Sequence, residues 1–129
     1  MKKVVIAGSA KLQKEIKKWL DYFGNLNYEV LDYPKEIEKE KLINIYPARY
    51  KEFFQNITNT NILFIMNEDK NNIEGYIGSE TFAELSFALV QKLIYNKNIE
   101  IIIYKMPSKE VSCCDEIRLY LELGWIKLL

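Results

Sequence analysis

Asn61-Ile-Leu-Phe-Ile-Met66 runs into Asn67-Glu-Asp-Lys-Asn-Asn72, and then through Gly75-Tyr-Ile-Gly78 into Ser79-Glu-Thr-Phe-Ala-Glu-Leu-Ser-Phe-Ala88. The unbroken apolar run marks a strand buried on both faces, as in a parallel sheet covered by helices. The polar residues after it form a loop. Phe82, Leu85, Leu89 and Leu93 then recur at helical spacing, with Ala83, Phe87, Val90 and Ile94 in the neighbouring stripe. This predicts a helix that begins at Ser79 or Thr81 and is apolar over a wide, buried arc. Thr81, Glu84, Ala88 and Gln91 fall on one line along it, and Glu84 lies near its start.

The same strand, loop and helix unit recurs on either side. Lys3-Val-Val-Ile-Ala7 predicts a first buried strand, turned by Gly8-Ser9 into a helix with Leu12, Ile16, Trp19, Leu20 and Phe23 inward and Gly24 as its stop. Tyr28–Tyr33 predicts the second strand, ended by Pro34, with the charged Lys35–Lys41 as a solvated helical turn. Pro47 suits the first turn of another helix, in which Tyr50, Phe53, Phe54 and Ile57 are inward. Ile99–Tyr104 predicts the fourth strand, Pro107-Ser108 a break, about Ser112 to Leu123 a helix stopped by Gly124, and Trp125–Leu129 the last strand. This alternation predicts one domain over residues 1–129, a three-layer α/β/α flavodoxin-like fold with a parallel five-stranded sheet ordered 2-1-3-4-5.

Composition narrows the function. The 18 basic and 18 acidic residues cancel, so charge makes no case for nucleic acid or an anionic membrane as partner. No apolar run approaches the roughly 20 residues of a membrane span, and the one after Met1-Lys2-Lys3 is too short for a signal-peptide core, so a cytoplasmic location is expected. The absence of histidine excludes histidine-based hydrolases and histidine-ligated zinc. Chemistry would have to run on carboxylates, tyrosines, lysines or a cofactor. Cys113 and Cys114 are adjacent, which suits neither a metal pair nor an unstrained disulfide. A flavin is not expected, because the Gly8-Ser9-Ala10 turn is too short to wrap a phosphate tail, and no metal is expected either.

In the predicted strand order the Gly8-Ser9 turn, the Asn67–Asn72 loop and the start of the Glu84 helix open into one crevice. Gly75 and Gly78 would let the backbone turn or approach a ligand closely. Glu84 has two readings. The helix dipole would keep it ionised, as a nucleophile or anchoring anion. Alternatively, Thr81-Phe-Ala-Glu84 is a capping box whose acid only folds back on the helix start. Arg49, one of two arginines among the basic residues, points to an anionic ligand or makes a surface ion pair. Asp69 is a functional acid or an ordinary loop residue.

The run Gly75-Tyr-Ile-Gly-x-x-Thr-x-x-Glu-x-x-x-Ala88, following a buried strand and an Asn/Asp-rich loop, resembles the nucleoside 2-deoxyribosyltransferase family. The likeness extends to Val4–Ser9 and to the Pro47–Met66 helix and strand. It implies an enzyme that cleaves or transfers the N-glycosidic bond of a nucleoside or nucleotide, with Glu84 as nucleophile, Asp69 as helper and Tyr76 as lid or proton donor. Gly8, Ser9, Gly75, Gly78, Ser79, Thr81 and Arg49 are the positions expected to bind substrate. Such exchange splits one hard displacement into two easier ones, as in retaining glycosidases. A non-catalytic nucleotide-binding or sensor module on the same fold is the alternative, and an interaction domain in which Glu84 is only a cap is a third. The aromatic content of 13% predicts a homo-oligomer, a dimer or higher.

Overall fold

The computed structural model describes residues 1–129. Its strands are β1 (Lys3–Ala7), β2 (Glu29–Asp32), β3 (Ile62–Ile65), β4 (Glu100–Ile103) and β5 (Lys127–Leu128). All pair in parallel, in the order β2-β1-β3-β4-β5. The helices are α1 (Gln13–Asn25), α2 (Leu42–Thr58), α3 (Ser79–Leu93) and α4 (Cys114–Glu122). The expected flavodoxin-like topology is therefore present. No helix is long and apolar enough to cross a membrane.

Alternation along each central strand divides the core in two. Val4, Ile6, Ile62, Phe64 and Met66 pack with Ile16, Trp19 and Phe23 of α1. Val5, Ala7, Leu63, Ile65, Ile101 and Ile103 face the other way, onto Phe53 and Ile57 of α2, Leu85 and Ala88 of α3, and Ile117 of α4. Each such aliphatic or aromatic side chain contributes about 1.5–3 kcal/mol by leaving water. The layers are unequal, one helix against three, as right-handed crossovers require when only the first connection steps back along the sheet. Over β4 and β5 the α1 face is finished by Tyr104, edge-on to Trp19 with ring centroids 4.9 Å apart, and by a Glu100–Lys127 ion pair.

Several boundaries depart from those the sequence predicts. Helix α1 passes through Gly24, and its stop is Asn27, at φ 61°. The Tyr28 and Asn27 amides bond back to the carbonyls of Phe23 and Gly24, a Schellman closure with asparagine in the left-handed position. Gly124, at φ 74°, closes α4 in the same way. Helix α2 starts five residues before Pro47, after a single 3-10 turn at Lys39–Lys41 that is all of the charged segment to become helical. The carbonyl that Pro47 deprives of an amide belongs to Ile43, which is solvent-exposed, so the proline is tolerated inside the helix. Helix α3 is buried on the line of Thr81, Glu84, Leu85, Ala88 and Leu89, whereas Val90, Leu93 and Ile94 lie exposed. Cys113 and Cys114 are buried free thiols at the start of α4, and burial pushes the Cys113 thiol up to about 11. A reactive thiolate is not favoured there.

Buried Asn67 ties the carboxyl edge together. Its amide nitrogen donates to the carbonyls of Lys105 (2.6 Å) and Gly75 (3.3 Å), and its oxygen accepts from the amides of Tyr104 (3.0 Å) and Lys105 (3.2 Å). Loops following β3 and β4 thus share one side chain. The Tyr104 amide also has the Ile65 carbonyl, but Asn67→Ala would leave the Gly75 carbonyl and both Lys105 backbone groups without this partner and should lower unfolding free energy by about 2 kcal/mol in urea titrations. A loss below about 0.5 kcal/mol, the range of ordinary surface changes, would refute this role.

Candidate active site

Strands β1 and β3 are neighbours, yet their following helices lie on opposite faces of the sheet. A crevice must open at the carboxyl ends where the connections diverge. There the structure has a cleft of about 350 Å3. Gly8–Ala10 line it after β1, Pro34, Lys35 and Ile37 after β2, and Lys70 and Tyr76 after β3. One long wall is α2, contributing Tyr46, Arg49, Tyr50, Phe53 and Phe54 at helical spacing. The other is the start of α3, with Gly78, Ser79, Glu80, Thr81 and Glu84.

Of the residues that the sequence singled out, Gly8, Ser9, Arg49, Tyr76, Gly78, Ser79, Thr81 and Glu84 meet in this cleft, whereas Asp69 and Gly75 do not line it. Asp69 accepts the Gly75 amide at 3.0 Å and pairs with Lys105 at 2.7 Å; the bond from Lys105, then that from Gly75, holds its carboxyl below the usual range. Its place is in shaping the loop. Gly75 does need to be glycine, with φ +62° and space for a Cβ only 2.7 Å from the Met106 carbonyl oxygen. Gly78, at φ −79°, adopts backbone angles open to any residue. Gly8 packs closely, since a Cβ there would stand 2.7 Å from the Met66 side chain and 3.3 Å from its carbonyl oxygen, so that Met66 would have to move.

The capping reading of Glu84 is not realised. Gly78 occupies the N-cap with no side-chain cap bond, and Glu84 lies five residues beyond Ser79, inside the helix. Its side chain is buried, and no donor bonds to it. Burial first, then the nearby Glu80 and Asp32 charges, pushes its pKa up to about 8 against the pull of Arg49. Desolvation therefore outweighs the helix dipole that was expected to keep it ionised. The sign for stability follows: both states are protonated below about pH 4.5, and as pH rises towards 8 the folded state increasingly bears the cost of a proton or a charge that the unfolded chain does not.

Three residues outside the sequence-based site, Asp32, Tyr46 and Lys70, make polar contacts that shape the cleft. Buried Asp32, at the end of β2, accepts from Arg49 through both oxygens (3.2 and 3.3 Å), from the Asn56 amide (2.9 Å) and from the Tyr33 backbone N–H (2.8 Å). Burial alone would raise its pKa, but the bonds from Arg49, Asn56 and Tyr33 together hold it below the ordinary value. Arg49 also reaches Glu52 at 2.8 Å, so it is a neutralised post and not a free cation. Tyr46 donates to Glu80 at 3.1 Å, and burial with that carboxylate raises its hydroxyl to about 12. Lys70 donates to the Ser9 hydroxyl at 2.8 Å. Asp32 had a legible signal, an acid at the carboxyl end of a strand. Tyr46 was hidden by the late placing of the helix start, and nothing in the sequence marks Lys70 among so many lysines. No group of three or more histidine, cysteine or acidic side chains gathers as a metal site.

No protein-family model matches the chain, and no curated protein matches it. Among solved structures, the CMP N-glycosidase BcmB of Clostridium botulinum is similar with a TM-score of 0.62. The alignment covers 99% of this chain and 87% of that one at 13% identity. At that identity the likeness is one of fold.

Two stability tests follow from this electrostatic layout. Glu84→Gln should stabilise the unliganded protein at pH 8–9 by about 2–4 kcal/mol and leave it unchanged near pH 4, measured by denaturant titration at each pH; equal stability at both pH values would contradict the buried acid. Asp32→Ala should cost about 3 kcal/mol at pH 7 by removing the buried partner of Arg49. Because the folded Asp32 pKa is depressed, its contribution holds above about pH 3.9 and fades as pH falls through the folded value, so the difference between the two proteins should shrink on acidification.

Proposed function

We propose that this protein cleaves the N-glycosidic bond of a nucleoside or nucleotide, or transfers its glycosyl group, with Glu84 as nucleophile. The observation that carries the reading is a buried carboxyl group, bonded to no donor, set between an aromatic wall and a polar turn. The motif from Gly75 to Ala88 supports it, as does the likeness in fold to an N-glycosidase.

Tyr46, Tyr50, Phe53 and Phe54 suit the flat face of a base, and the Gly8-Ser9 turn suits the sugar hydroxyls or their substituent. In the first step a Glu84 oxygen bonds to C1′ as the C1′–N bond breaks and its electron pair leaves with the base, which takes a proton. Tyr76, which lines the cleft, would supply that proton from its hydroxyl; Asp69 contributes by holding Gly75. In the second step water or an acceptor base attacks C1′ as the C1′–Glu84 bond breaks, and the proton it loses returns to the Tyr76 oxygen. A homo-oligomer remains part of the proposal, and the exposed Val90, Leu93, Ile94 and Tyr95 offer an apolar surface for a second copy.

A binding or sensor module is the second reading, favoured by the protonated state of Glu84 at neutral pH in the free protein. Incubation with deoxynucleosides, ribonucleosides and their monophosphates, with released base measured by chromatography, separates the two. A nucleophile must be ionised, so kcat/KM should rise with pH and level off above about 8, and Glu84→Gln should reduce base release to the level of buffer. Ligand binding without released base across pH 6–9 would leave the sensor reading. Base release undiminished in Glu84→Gln would remove Glu84 from the chemistry.

A further inference from the structure

We infer that Lys70 anchors a phosphate monoester, so that the cleft takes a phosphorylated nucleoside in preference to the free nucleoside. The sugar and base come from the glycosidic reading above, on which that part of the inference rests. The anion comes from the cleft's own cations.

Three cationic side chains line the cleft: Lys35, Arg49 and Lys70. Arg49 is engaged by Asp32 and Glu52, and Lys35 lies 3.5 Å from Asp32. Lys70 pairs with no carboxylate. Its ammonium group donates to the Ser9 hydroxyl at 2.8 Å and stands 5.2 Å from the Tyr76 ring centroid. An ammonium has three N–H donors, so two remain for a ligand. The Ser9 and Ala10 backbone N–H groups, on the same turn, also have no partner within the protein. An ammonium and two amides around a hydroxyl match the oxygens of a phosphate.

Lys70 is held for this by its backbone. Its N–H and C=O both bond to Ile73, at 3.1 and 2.9 Å, across a two-residue turn of Asn71 (φ 53°) and Asn72 (φ 63°). Two successive left-handed residues make the tight turn that favours asparagine. The lysine stem therefore leaves a fixed hairpin. The Glu80 carboxylate, on the α3 wall, repels an anion from that part of the cleft and leaves the Ser9 end as its place.

Inorganic phosphate, as a co-substrate for phosphorolysis, has the same chemistry as a monoester. Calorimetric titration of the wild type with ribose 5-phosphate, ribose and inorganic phosphate separates these sources. Ribose 5-phosphate should bind at least about tenfold more tightly than ribose, Lys70→Gln should weaken it by about ten- to a hundredfold, and Lys70→Arg should recover most of the loss. Unchanged affinity in Lys70→Gln, or a wild type that does not distinguish ribose 5-phosphate from ribose, would overturn the assignment. So would a nucleoside cleaved only when inorganic phosphate is added. Phosphate preference without any base release would support the Lys70 anchor and count against the glycosidic reading alone.

Discussion

In-register parallel pairing of β1, β3 and β4 is the constraint from which the rest follows. Val4–Ala7 align with Ile62–Ile65, and these with Glu100–Ile103, so three carboxyl ends stop at one level. Parallel neighbours can be joined only by crossovers, so every loop that leaves those ends emerges on the same edge. Asn67 then fixes that edge, one amide serving backbone from the loops after β3 and β4.

Charge inside the cleft is arranged against stability in one place and for it in another. Asp32 is buried and Arg49 half-buried, each satisfies the other, and Asn56 and Tyr33 complete the carboxylate. Glu84 has no such support and is destabilising as an anion. An acid kept buried at this cost is a group whose protonation is set by its surroundings in the fold.

Left-handed backbone positions show how a chain with five glycines makes its tight turns. Asn27, Asn71, Asn72 and Asn96 are its non-glycine residues at positive φ. Asparagine tolerates this region because its short amide bonds to nearby backbone. Only Gly75 and Gly124 take such angles as glycine, and at Gly75 the neighbouring Met106 and Pro107 backbone would also exclude a side chain. A stop placed at Gly24 was therefore displaced to an asparagine.

The strand order and the meeting of the Gly8-Ser9 turn with the Glu84 helix were legible in the sequence. Buried strands and amphipathic helices announce themselves by local periodicity, and right-handed crossovers leave few ways to assemble five of one with four of the other. What local pattern could not carry was the state and company of each side chain. Glu84 as cap or cleft acid, Asp69 inside or outside the cleft, Arg49 free or neutralised, and Lys70 aimed at Ser9 all depend on contacts between residues far apart in the chain: Arg49 with Asp32, Lys70 with Ser9, Asp69 with Lys105. Burial and charge pairing are properties of that three-dimensional neighbourhood, so only the tertiary structure decided them.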